Sequence, residues 1–210
     1  MRRPVASVAG LLLVVLLGFT QSGTDQASLR GQVLSAPVIS PIGSGWSFLV
    51  NLGPAVDPAT LLDPIDDWVT SAFTFDAASD SFRSYRSELP QFSSLQTIES
   101  GHAFWAFSPA DRLQGDVTFW QQPAGVRDLA VALLPGFNLV PWTGSDGVLM
   151  SEAVAGLPVV RAYRWDPVAQ AFVTWNPALP LGLQIDFTLE YGEGLWIDLG
   201  GDAAQVWQQS

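Results

Sequence analysis

The chain has no cysteine, no lysine and a single histidine, His102. Without cysteine there are no disulfides, no thiolate metal sites, no cysteine nucleophile and no acylated anchor. A lone histidine argues against a histidine-based zinc site as well. All nine cationic residues are therefore arginines, set against 20 acids, for a formal charge of −11. Such a surface repels phosphate backbones and anionic lipid, which argues against nucleic acid as a partner. Also missing are a glycine-rich phosphate loop, a dinucleotide fingerprint and a strand-turn-helix signature around any serine. No cofactor and no metal are expected.

What is present points to strands. Hydrophobic residues make up 48% of 210, enough to fill a core without disulfide staples. Fifteen prolines, 19 glycines and nine tryptophans suit short strands and tight turns, not a helical bundle. At the N-terminus Arg2 and Arg3 precede an apolar run from Val8 to Phe19 and a small, polar stretch. That layout predicts a signal peptide over 1–22 and a linker over 23–32, with a retained N-terminal anchor as the alternative. A mature chain without Arg2 and Arg3 keeps seven arginines against 20 acids, a charge of −13. It would carry no membrane span and be secreted or held at the cell surface.

The chain also repeats itself. "AFTFDAASDSFRSYRS" (72–87) aligns with "AYRWDPVAQAFVTWNP" (162–177). "GWSFLVNLG" (45–53) aligns with "GFNLVPWTG" (136–144), and "ESGHAFWAF" (99–107) with "EYGEGLWID" (190–198). "VTFWQQP" (117–123) aligns with "AQVWQQS" (204–210). The expected architecture is mainly β: two homologous β-rich repeats, 33–123 and 124–210, each with one short helix. Those helices are expected at 58–65 and 151–157, the second with Ser151 as N-cap. Short apolar runs flank Pro135 and Gly136 and predict a hairpin there, with its counterpart in "APVISPIGSGWSFLV" (36–50). Asp76 and Asp166 are read as turn-formers whose side chains bond to the backbone just beyond them. In "GLWID" Leu195 and Ile197 share one face, Trp196 and Asp198 the other.

"PGFNLVPWTG", "YRWDPVAQAFVTWNP" and "GEGLWI" resemble a bacterial tandem module of exported and cell-surface proteins, with a GWNLV-type opening and a GxGYWI-type close. The first copy departs from that pattern at Ser47-Phe48 and at Gly101-His102-Ala103. The resemblance implies an accessory or surface module and no catalytic residues or cofactor. The hairpin is also similar to a kelch blade, but two copies of about 90 residues do not make a propeller.

Aromatics shared by both copies are expected to serve the common fold: Phe75/Trp165, Phe82/Phe172, Trp105/Trp196 and Trp120/Trp207. Unshared ones are the candidate ligand-binding residues. Trp68 stands opposite Pro158, and Trp142 opposite Asn51. Part of the Trp142 ring is expected to reach solvent or the other copy, while Trp196 is expected in the core. Acidic residues are plentiful, but neither "DPIDDW" nor "GSDG" has calcium-loop spacing, and nothing sets two carboxylates across a cleft. The reading is a non-catalytic exported protein for surface interaction or recognition, its partner a cell-surface protein or glycan. The alternatives are a carbohydrate-binding module and an extracellular hydrolase.

Overall fold

The computed structural model describes residues 37–112, 116–123 and 125–210; the leader and linker expected over 1–32 lie outside them. The first half of the described chain carries β1 (Val38–Ile42), β2 (Gly45–Val50), α1 (Pro58–Leu62), β3 (Ser71–Asp76), β4 (Ser81–Arg86), β5 (Ala103–Ser108) and β6 (Val117–Gln121). The second carries β7 (Ala130–Leu133), β8 (Gly136–Pro141), β9 (Val148–Leu149), α2 (Met150–Ala153), β10 (Val159–Asp166) and β11 (Ala171–Trp175). It ends with β12 (Thr188–Leu189), β13 (Gly194–Leu199) and β14 (Gln205–Gln208). The protein is mainly β, and every strand pair is antiparallel.

One four-stranded sheet has the order β2-β5-β3-β4, and the other β8-β13-β10-β11. Their registers run in step: Gly45 lies across from Ser108, and Gly136 from Leu199. Two-stranded ribbons β1-β6 and β7-β14 accompany them, and β9 pairs with β12. The hairpin expected around Pro135 and Gly136 is corrected here. β7 and β8 do not pair with each other; β7 joins β14 and β8 joins β13. The same holds for β1 and β2, which join β6 and β5. The segment is a corner that passes the chain from ribbon to sheet. Gly45 (φ 95°) and Gly136 (φ 88°) make it, in a backbone region closed to most side chains.

The hairpins β3-β4 and β10-β11 form as their alternation predicts. Asp166 Oδ1 accepts from the backbone N–H groups of Val168 (2.9 Å) and Ala169 (3.0 Å), closing the turn as expected. Asp76 Oδ1 accepts from Ala78 N–H at 3.1 Å in the matching turn. Helix α1 begins at Pro58 behind an Asp57 cap that accepts from Thr60 N–H, and continues as a 3-10 turn through Ile65. Helix α2 is shorter than expected and starts earlier. Its N-cap is Leu149, and Ser151 lies inside it, where N–H and Oγ both donate to the Asp186 carboxylate.

Each sheet turns one face to its own core. Leu49, Ala72, Tyr85, Phe104 and Ala106 of the first sheet close on Leu62, Ile65 and Phe119. Val140, Ala162, Trp175, Leu195 and Ile197 of the second close on Trp142, Met150 and Trp207. A smaller cluster of Val50, Leu52, Ala103, Val126 and Tyr191, with Phe48 and Leu139 against it, joins the halves. All the described residues belong to one compact unit.

Candidate functional site

Strand alternation gives each sheet a second face, and there the aromatics gather. On β2, Ser47 and Leu49 are buried while Trp46 points the other way. On β3, Ala72 is buried and Phe73 and Phe75 take the opposite side; on β5, Trp105 alternates with core-facing Phe104 and Ala106. The second sheet does the same with Phe137, Tyr163, Trp165 and Trp196. Phe82 and Phe172 come from the outer hairpin strands, 59% and 45% exposed. Together these rings line a cleft of about 630 Å³ between the two sheets. Asp80 is its one charged lining residue.

The ring contacts across the cleft are reciprocal. Phe75 lies 5.0 Å from Trp196, and Trp165 lies 5.1 Å from Trp105. Phe82 lies 6.0 Å from Trp196, and Phe172 lies 5.7 Å from Trp105. Within each hairpin Phe75 meets Phe82 at 5.2 Å, and Trp165 meets Phe172 at 5.0 Å. Most of these pairs are edge-to-face, the arrangement that sets the positive edge of one ring against the negative face of the next.

Polar bonds break this reciprocity. Gln170, on the β10-β11 turn, grips the edge of β2: its Oε1 accepts from Trp46 N–H (2.8 Å), and its Nε2 donates to the Trp46 carbonyl (3.0 Å). Trp165 Nε1 donates to the same carbonyl at 3.0 Å. On the β3-β4 turn the matching places hold Asp80 and Phe75. A carboxylate has no hydrogen to give and a phenyl ring no polar atom, so the two bonds to the carbonyl cannot recur on that side. The carboxylate could still accept from Phe137 N–H, but among the described residues Asp80 makes no such bond.

Several expectations about aromatics are corrected. Trp142 does not reach solvent; it is 1% exposed and packs 5.6 Å from Trp207 in the second core. Gly144 lets the loop close over the ring, since a Cβ there would stand 2.5 Å from Trp142 Cζ2. The indole N–H donates to the Ser145 carbonyl at 3.0 Å, so the side chain plugs its own loop. Trp196 is only half-buried, because its strand face lines the cleft instead of the core. Phe75, Phe82, Trp165 and Phe172 likewise line the cleft. Trp120 is 56% exposed, and Phe119 next to it is buried instead. Ser40 sits across from Phe119 as Val131 sits across from Trp207, so the alignment of Trp120 with Trp207 is off by one, and one residue flips the face. Trp68 is half-buried at the edge of the first core, away from the cleft.

Apart from Asp80 and Tyr163, the titratable groups stand outside the cleft lining. Glu190 and Glu193 share one turn beside Arg164, at a second pocket of about 260 Å³. Burial pushes the Glu193 carboxyl above its usual range, against the pull of the Glu190 N–H and Arg164. Asp76 is held below the usual range by Arg83, and Asp166 by the Ala169 and Val168 N–H groups. His102 is exposed on the turn from Glu99. Among the described residues no group of three His, Asp or Glu is placed to hold a metal ion. No helix among them is long and apolar enough to cross a membrane. No family model, curated protein or solved structure matches the chain.

The signal that could have found the cleft is in the sequence. Trp46 and Phe137 follow the corner glycines, and Phe73 and Tyr163 precede Phe75 and Trp165 by two. Aromatics thus recur at every second position on β3 and β10 and mark a second face rich in rings, beyond the one that a core can cover.

Proposed function

We propose that the chain is an exported, non-catalytic recognition protein whose two homologous halves, 33–123 and 124–210, build one binding cleft for an apolar ligand. The observation that carries this reading is the open cleft of reciprocally packed rings. Its volume of about 630 Å³ falls within the roughly 300–1,000 Å³ usual for small-molecule sites. Exposed aromatics gathered in one patch mark interaction surfaces more often than scattered ones do. Two halves with the same sheet order, register and cross-cleft contacts support a duplicated module. A twofold-related interface repeats each contact in this way. Export rests on the leader read in the sequence.

A glycan ligand has less support. Sugars are gripped by aromatic faces together with planar polar groups, and Asp80 is the one such group lining the cleft.

Titration with Nile red, an uncharged apolar dye, tests the reading. Its fluorescence should rise with a saturable curve. The double variant Phe82→Ser/Phe172→Ser, at two exposed rings, should lose that rise while its melting temperature stays within a few degrees. No saturable binding, or binding untouched by the double variant, overturns the proposal.

A further inference from the structure

The two ends of the cleft are not alike, and the difference selects a ligand. At one end Gln170 and Trp165 tie the hairpin turn to the edge of β2 through Trp46. At the other the turn residue is Asp80. It follows Asp76 by four positions, as Gln170 follows Asp166, and the two share a left-handed backbone (φ 47° and 49°). The strand edge that it faces in the matching arrangement carries Phe137, 46% exposed. The Asp80 end lacks these ties, and a carboxylate is among the residues that line the cleft there. Among the described residues Asp80 makes no ion pair.

We infer that the cleft takes an organic cation, a quaternary or aryl ammonium group on an apolar body, held at the Asp80 end. This rests on the binding-cleft reading proposed above. Ring faces carry negative quadrupole charge and attract a cation placed over them, most strongly for tryptophan. Trp46, Trp105, Trp165 and Trp196 line the cleft, and no arginine does. The cation would lose part of its hydration on entry, and the Asp80 carboxylate offsets that loss. With a chain charge of −11, the surrounding field draws cations in and repels anions.

Three ligands of nearly one shape separate the possibilities: phenyltrimethylammonium, uncharged tert-butylbenzene and anionic 4-tert-butylbenzoate. Binding is followed through the indole N–H signals of the purified protein at low salt. The cation should bind about tenfold tighter than the neutral compound, the anion weaker than both. Asp80→Asn should remove most of that preference and leave tert-butylbenzene binding unchanged. Equal binding of cation and neutral compound, or tighter binding of the anion, overturns the inference while leaving the apolar cleft standing. A preference that survives Asp80→Asn overturns the role given to Asp80. Binding of none of the three overturns the inference and the cleft reading together.

Discussion

Adding one methyl group at Gly194 should unfold part of what joins the two halves. A Cβ built there would stand 2.6 Å from both Cδ2 and Cε2 of Phe48 and 2.9 Å from its Cγ. Those distances are below any van der Waals contact, and the ring has little freedom to retreat. It is stacked on Trp105, with centroids 4.2 Å apart and planes 12° from parallel. The sign of the effect is what makes the test decisive. Glycine to alanine in a strand without a left-handed backbone normally stabilises, by about 0.4–1 kcal/mol, through the unfolded chain. Overpacking a filled site costs roughly 1–3 kcal/mol. With the ring pinned on Trp105 the steric cost exceeds the gain, by up to about 2.6 kcal/mol, and Gly194→Ala should lower the melting temperature by up to about 10 °C, taking roughly 2–4 °C per kcal/mol for a chain of this size. The matching pair across the two halves is the opposite combination in the same cluster, Leu139 with Ala103. Phe48→Leu should therefore relieve the clash. In that background Gly194→Ala should be neutral or stabilising, a coupling of about 1–3 kcal/mol. Circular dichroism melts of the four proteins in the cycle read this directly. Additive effects, or a Gly194→Ala variant that melts above the wild type, would refute the close approach of Gly194 to Phe48.

Trp142→Ala should cost about 3–5 kcal/mol in lost burial and cavity, and more than Trp196→Ala, since the cleft already exposes part of the Trp196 ring. Thermal melts rank the two, and a larger loss for Trp196 would put the core on the wrong face of the sheet. Glu193 supplies a pH test. Burial raises its folded pKa above the unfolded value, so the charged carboxylate weakens the fold as pH rises through that range and the penalty is relieved on acidification. Glu193→Gln, whose amide oxygen can still accept from Glu190 N–H, should melt higher than wild type at neutral pH and lose that advantage near pH 3. An advantage independent of pH would mean that the charge is not what the site resists.

Strands, turns and the alternation of side chains along a strand were legible because they are local; which of the two faces meets the core was not. Alternation in "RAYRWD" sets Ala162 against Tyr163 and Trp165, and the hairpin follows whatever the rest of the chain does. Asp166 bonds within its own turn, so its role needs no tertiary partner to be read. The corner at Gly136 was misread for the converse reason. Two apolar runs around Pro-Gly look like a hairpin, yet β8 finds β13 and β7 finds β14 more than 50 residues onward. Only pairing at long range, invisible in a local window, separates a corner from a hairpin.

The inversion of the tryptophans goes deeper. Large aromatics are mostly buried, so residues written in both copies were assigned to the shared core and unshared ones to a site. That logic holds when each copy is a free-standing domain. Once two copies face each other about a twofold axis, the interface also requires both to contribute the same residues, because each contact is made twice. In the two-module reading Phe75, Trp105, Trp165 and Trp196 meet that second requirement, with the paired distances of 5.0 and 5.1 Å across the cleft. The unshared residue then has the opposite meaning. Asn51 and Trp142 occupy matching places and close the same kind of loop by different chemistry. Asn51 does so with side-chain bonds to the carbonyls of Pro54, Ile98 and Glu99, and Trp142 with bulk and one indole bond. A buried loop can be filled in several ways, so in the two-module reading its residues are free to differ between the copies. A face that must match itself is held more closely in that reading, and where the matching places differ, at Asp80 and Gln170, the ties to the strand edge are made on one side only.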